Sequence, residues 1–311
     1  MRHSLTAKAA VAMTAAVCTL ALAACGGSEE DAASSAAESS SGQGDLETTE
    51  MNVGVQPFAE ASAFYYALQE GYFEDEGLTV NPTSSTGGGG ATLVTSIVSG
   101  DIDVAYANYV SVVQAASEGL PLRIVRENDR PGPQGLYSVP GSGITTPADL
   151  AGKRIAINGL GNIMELTSRA ALEENGVDPD SVTFVEIPLP EMPQNLSTGD
   201  VDAAWLAEPF VTNATNTLGA QLVLDISTGP TEDLPISGWM TSGAFAEENP
   251  ATMAAFIRAL DRGMEAVGED PGIVGEIVPT FTQIPPEVAS ALQPSTSPWR
   301  TGPRTSSRSP T

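Results

Sequence analysis

Beyond residue 24 the chain contains no histidine, and its only cysteine there is Cys25; His3 and Cys18 lie in the first 24 residues. Without an imidazole or a pair of thiols, the remainder cannot build a Ser-His-Asp or Cys-His nucleophile, a His-ligated zinc, a thiolate metal site or an internal disulfide. No cofactor, no metal and no catalytic residue is expected, although abundant acids leave carboxylate-pair hydrolysis open in principle. Positive charge is also scarce: 13 Lys and Arg face 39 Asp and Glu, the formal charge is −26, and Lys8 and Lys153 are the only lysines. The first 24 residues carry Arg2 and Lys8 and no acid, so removing them takes −26 to −28. Such a surface is a poor partner for nucleic acid or anionic lipid headgroups.

The first 24 residues have the build of a secretory signal. A short basic start runs into an uncharged, Ala-rich segment from Ala9 to Ala24, too short and too small-residued to span a bilayer comfortably. Its end, Leu22-Ala23-Ala24-Cys25, resembles the bacterial lipobox, which implies lipidation of Cys25 and an extracytoplasmic protein held to the cell membrane by lipid. Residues 25–48 are Gly, Ser, Ala, Glu and Asp with little to bury, and read as a disordered tether.

From about Glu50 to Leu292, short apolar runs alternate with helical stretches closed by glycine. Met51–Gln56 precedes a helix to Gly71, Leu78–Asn81 a helix to Gly100, and Val104–Ala107 a helix to Gly119, before Leu122–Val125. The pattern resumes with Arg154–Ile157 and a helix to Gly176, Val182–Ile187 and a helix to Gly199, Ala203–Leu206 and a helix to Gly219, then Gln221–Leu224. This predicts an α/β fold with largely parallel sheets. An internal echo divides it: Ser99-Gly-Asp-Ile-Asp-Val-Ala-Tyr106 recurs as Thr198-Gly-Asp-Val-Asp-Ala-Ala-Trp205. Two lobes of like topology would face each other, with ligand at the carboxyl ends of the strands. Asn108 and Tyr109 in one lobe, and Glu208, Pro209 and Phe210 in the other, should then reach the cleft; Tyr106 and Trp205 read equally as core residues.

The run Phe64–Leu78, the echo sequences, Asp149-Leu-Ala-Gly-Lys-Arg154, Glu208-Pro-Phe210 and Asn249-Pro250 before a long helix resemble the nitrate/sulfonate/taurine/thiamine-pyrimidine family of ABC-transporter solute-binding proteins. The resemblance implies a two-lobed type II periplasmic-binding-protein fold, each lobe a mixed sheet flanked by helices. It places lobe 1 at 49–136 and 229–292 and lobe 2 at 137–228. It also implies a monomer that is not an enzyme and that delivers a small solute to an ABC permease and its ATPase. Two other classes stay open: a sensor lipoprotein presenting its ligand to a receptor, and a pyrimidine-synthesis-type enzyme, which the missing histidine disfavours.

For the ligand, Ser85, Thr86, Gly87 and Gly88 fall between a strand and a helix, where backbone N–H groups favour an anion; a merely flexible turn is the alternative. Gly161 and Asn162 occupy the matching loop of lobe 2. Phe58, Ser62, Tyr137, Trp205 and Trp239 are candidate walls, with core packing the alternative for each aromatic. Arg123, Arg126, Arg130, Lys153 and Arg154 do not point clearly into the cleft, and Glu208 facing the ligand would favour an amine. The contest is between a sulfonate-like or nitrate-like anion, slightly preferred, and an aminopyrimidine. After Leu292 the composition changes abruptly to a Pro-, Ser- and Arg-rich stretch without acids or aliphatics, so 293–311 is expected to be a disordered or frameshifted tail.

Overall fold

The computed structural model describes residues 45–129, 134–232 and 234–292. The signal segment, Cys25, the tether as far as residue 44, Arg130 and the tail lie outside the described residues. No described helix is long and apolar enough to cross a membrane.

Among the described residues, ten strands form two five-stranded sheets. Strands β1 (Glu50–Val55), β2 (Thr79–Ser84), β3 (Val104–Asn108) and β4 (Leu122–Asp129) come first; β5 (Gly135–Ser138), β6 (Arg154–Ile157), β7 (Thr183–Glu186), β8 (Ala203–Leu206) and β9 (Gln221–Asp225) follow; β10 (Ser237–Ser242) returns to the first sheet. The spatial orders are β2-β1-β3-β10-β4 and β7-β6-β8-β5-β9. The topologies match position by position: three parallel strands, then one antiparallel strand supplied from across the molecule, β10 in the first sheet and β5 in the second. This is the two-lobed α/β architecture expected from the alternation and the echo. Because β5 opens at Gly135, the second lobe begins just before the expected 137.

The echo has the same role in both lobes. Gly100 and Gly199 close their helices in the left-handed conformation that glycine adopts without a Cβ clash. Three residues on, Asp103 accepts the backbone N–H of Asn52 at 2.7 Å, and Asp202 accepts that of Arg154 at 2.8 Å. Each aspartate thereby ties the start of one parallel strand to the start of its neighbour.

The helices are α1 (Ser62–Gln69), α2 (Tyr72–Asp75), α3 (Gly89–Ser99) and α4 (Tyr109–Ser117) in lobe 1, and α5 (Ile163–Glu174), α6 (Met192–Thr198) and α7 (Phe210–Leu218) in lobe 2. Lobe 1 is completed by α8 (Gly243–Glu248), α9 (Pro250–Glu269), α10 (Gly272–Phe281) and α11 (Pro286–Ala289). Pro250 opens α9, where its missing N–H is harmless, and a stripe at Met253, Phe256, Leu260, Met264 and Val267 is buried. That stripe meets α1 and β10: Trp239 packs on Phe64 at 5.0 Å and on Tyr106 at 5.4 Å between ring centroids. The ordered chain reaches further into the expected tether than residue 48. Leu46 packs on the core, and the Glu47 carboxylate accepts the N–H groups of Ala251 and Thr252 at 3.1 and 2.9 Å, capping α9.

Candidate functional site

The carboxyl ends of the parallel strands converge where the two lobes meet, and a cleft of about 370 Å3, counting the space open at its mouth, lies there. Gln56 follows β1, Asn108 ends β3, Asn158 follows β6 and Ala207 follows β8; Ile236 precedes and Ser237 opens β10, whose antiparallel run brings them to the same edge. The apolar wall comprises Phe58, Ile163, Met164, Trp205, Ala207 and Ile236. The polar lining is Gln56, Glu60, Asn108, Gln134, Asn158 and Ser237, and no lysine or arginine lines it among the described residues.

The local fold sets the polarity of these groups. Asn108 caps α4, its Oδ1 accepting the Ser111 N–H at 2.9 Å, so its amide nitrogen is the end left over. Asn158 Oδ1 accepts from Asn162 Nδ2 at 2.6 Å. The Ser111 hydroxyl and the Gln134 carbonyl are buried and make no hydrogen bond among the described residues. Asn128 holds Glu60 in place, donating to its carbonyl at 3.1 Å and accepting the Trp239 indole N–H at 3.0 Å.

The lobes touch directly. Leu189 N–H donates to Thr86 O at 3.1 Å, and Ala59 N–H to Glu208 O at 3.0 Å. A Cβ on Gly87 would reach Pro188, one on Gly89 would collide with Asn162, and one on Gly159 would press on the Gly88–Gly89 peptide. The glycines thus serve a close backbone approach between lobes.

Of the residues singled out from sequence, Phe58, Asn108 and Trp205 line the cleft. Trp205 is anchored there by its indole N–H on Thr167 Oγ1 at 3.3 Å. Asn162 stands behind the cleft, capping α5 and bonding Asn158. Thr86, Gly87 and Gly88 sit at the lobe contact rather than in the lining, and half-buried Ser85 pairs through its backbone with Val55. Ser62 is fully buried at the start of α1, outside the lining.

Other expectations change. Trp239 belongs to the aromatic core of lobe 1 and is no wall. Tyr109 turns its hydroxyl toward Gly238. Tyr137 is buried on β5, where burial first, then the nearby Glu208 and Asp225 charges, push its phenol up to about 12. The lobe 2 loop is not an anion cradle: Leu160 N–H is taken by Glu186 at 2.8 Å and Gly161 N–H by Glu165 at 2.8 Å. Glu208, joined to Pro209 by a cis peptide, directs its carboxylate to Thr212 N (3.1 Å) and Oγ1 (2.8 Å) in the first turn of α7 and is not among the residues that line the cleft. Gln56, Glu60, Gln134, Asn158, Ile163, Met164, Ile236 and Ser237 were not foreseen. The strand-end rule applied to β1 and β6 would have found Gln56 and Asn158.

Comparison with known proteins gives a consistent set. A family model described as "NMT1/THI5 like" matches residues 59–273. The taurine-binding periplasmic protein of Escherichia coli is 28% identical over 170 residues, spanning 55% of this chain and 52% of its own length, so the match extends over about half of that relative. The formylaminopyrimidine-binding protein of Halalkalibacterium halodurans is 25% identical over 234 residues, 73% of this chain and 68% of that protein. Among solved structures, the alkanesulfonate-binding protein SsuA from Xanthomonas axonopodis pv. citri, bound to MOPS, superposes with a TM-score of 0.67 at 19% identity, covering 79% of this chain and 83% of that one.

Proposed function

Because the chain belongs to the NMT1/THI5-like family, we propose that it is the extracytoplasmic solute-binding component of an ABC importer, capturing a small sulfonate-like solute between its lobes and delivering it without turnover. The observation that carries the ligand reading is the polarity of the two cleft asparagines. Both Oδ1 atoms are committed within the fold, so both side chains meet the ligand with N–H groups. Neutral donors in a low-dielectric cleft suit an acceptor-rich headgroup such as a sulfonate. The Gln134 carbonyl, buried in the lining and without a hydrogen bond among the described residues, favours a ligand carrying a donor such as an amine beside that headgroup.

A second reading, a thiamine-precursor aminopyrimidine, is favoured by the flat and polarizable wall of Phe58, Met164 and Trp205. In either case Cys25 carries the lipid that keeps a monomeric protein at the membrane surface, within reach of the permease and its ATPase. Calorimetry against taurine, alkanesulfonates, nitrate and an aminopyrimidine tests both readings: reversible binding of one of them with lobe closure is expected, and chemical conversion of any of them would overturn the transport role.

A further inference from the structure

We propose that Asn162 is a positioning residue that decides which half of the Asn158 carboxamide the ligand meets; the inference rests on the reading of the cleft as the ligand site. A backbone N–H can only donate, so the N–H of Met164, 2.9 Å from Asn162 Oδ1, fixes the orientation of the Asn162 amide. Its Nδ2 then points at Asn158 Oδ1, 2.6 Å away. With its acceptor end taken, Asn158 presents its donor end to the cleft that it lines. The polarity of the α5 N-terminus is thus passed through two buried side chains to the ligand. Gly89 from lobe 1 seals the pair: a Cβ there would collide with Asn162 Nδ2 and lie 3.4 Å from Asn158 Oδ1. Both amides are buried, at 3% and 2% exposure.

Asn162→Asp separates capping from positioning. An aspartate still accepts the Met164 N–H and remains a good helix cap, but it has no donor for Asn158. Asn158 must then turn its amide nitrogen inward and show its carbonyl to the cleft. Affinity for methanesulfonate, which only accepts hydrogen bonds, should fall about ten- to a hundredfold, while an aminopyrimidine, which also donates, should hold or gain, at unchanged thermal stability. Asn162→Ser controls for the added charge: its hydroxyl keeps a neutral cap but is too short to hold Asn158, so discrimination between the two probes should shrink. A ligand-free readout stands beside these. In 15N-labelled protein, hydrogen exchange of the Asn158 side-chain amide should slow in Asn162→Asp, where it becomes bonded to the new carboxylate. Equal exchange in both proteins, or an equal loss of both probes, overturns the positioning role. If the wild-type protein binds neither probe while exchange still slows in the variant, the positioning role stands and the solute reading fails.

Discussion

Gly159 of lobe 2 lies flat against Gly88 of lobe 1: a Cβ built on Gly159 would stand 2.9 Å from the Gly88 carbonyl carbon and 3.1 Å from the Gly89 nitrogen. Both neighbours are backbone and cannot swing aside. The closed cleft therefore depends on the missing side chain at 159, where the backbone itself is outside the left-handed region and would accept alanine.

Gly159→Ala should act as a wedge. Overpacking of this kind costs about 1–3 kcal/mol, and here the strain is relieved by opening the lobes rather than by unfolding. Solution scattering should show a larger radius of gyration in the presence of ligand, and calorimetry a weaker affinity, with circular dichroism unchanged. A variant that closes and binds like the wild type would mean that the loops separate without cost.

The two tryptophans Trp205 and Trp239 should behave oppositely. Trp239→Phe removes the indole N–H that Asn128 accepts inside the lobe 1 core, leaving a buried carbonyl unsatisfied at about 1–3 kcal/mol, and should lower the melting temperature with little effect on affinity. Trp205→Ala strips a wall from the cleft and should abolish or severely weaken ligand binding. Denaturation and calorimetry on the pair check both halves.

Glu208→Gln should alter stability and spare affinity. The carboxylate sits at the N-terminus of α7, where a negative charge is worth about 0.3–1 kcal/mol and more when buried. The loss should appear in urea titrations, while affinity for an amine-bearing ligand stays within about twofold, a difference of roughly 0.4 kcal/mol. A large affinity change would return Glu208 to the site.

These residues also mark how far sequence alone reaches. The lobes, the echo and Asn108 were legible because a glycine stop, a short apolar run and the next polar residue are all local signals. Trp239 stayed open between wall and core because β10 is buried over Ser237–Thr241, so no alternation tells the cleft end from the core face. Glu208 stayed open although its partner Thr212 lies only one helical turn on, since a capping role and a ligand role look alike in sequence. The lobe 2 loop failed for a different reason: Glu186, which occupies Leu160 N–H, is on another strand and enters only through the sheet order. Donor or acceptor polarity at Asn158 was invisible because it is set by a chain of hydrogen bonds and not by residue type.

Glu47 should govern part of the acid response. Its carboxyl is lowered from 4.5 to about 2, chiefly by the Thr252 backbone N–H, so its folded form holds fewer protons than its unfolded form as pH falls. The stability that it lends is present above about 4.5 and is lost on acidification toward 2. Glu47→Gln should fray the start of α9 at neutral pH, seen as faster amide exchange at Ala251 and Thr252, and should flatten the acid dependence of unfolding.

At the alkaline end the sign reverses. Tyr65 and Tyr137 are raised from 10.0 to about 12, in both cases first by burial, with Glu208 and Asp225 adding to the effect at Tyr137. Between 10 and 12 the unfolded chain has shed these protons and the folded chain still keeps them, so stability is full below 10 and falls as pH climbs toward 12. Thermal melts through that window should show the decline, and ultraviolet absorbance should show part of the tyrosine ionisation only as the protein unfolds. Tyr137→Phe keeps the ring and removes the ionisation, so its melting temperature should fall less steeply with pH than that of the wild type. Equal slopes for the two proteins would show that Tyr137 ionises without resistance from the fold.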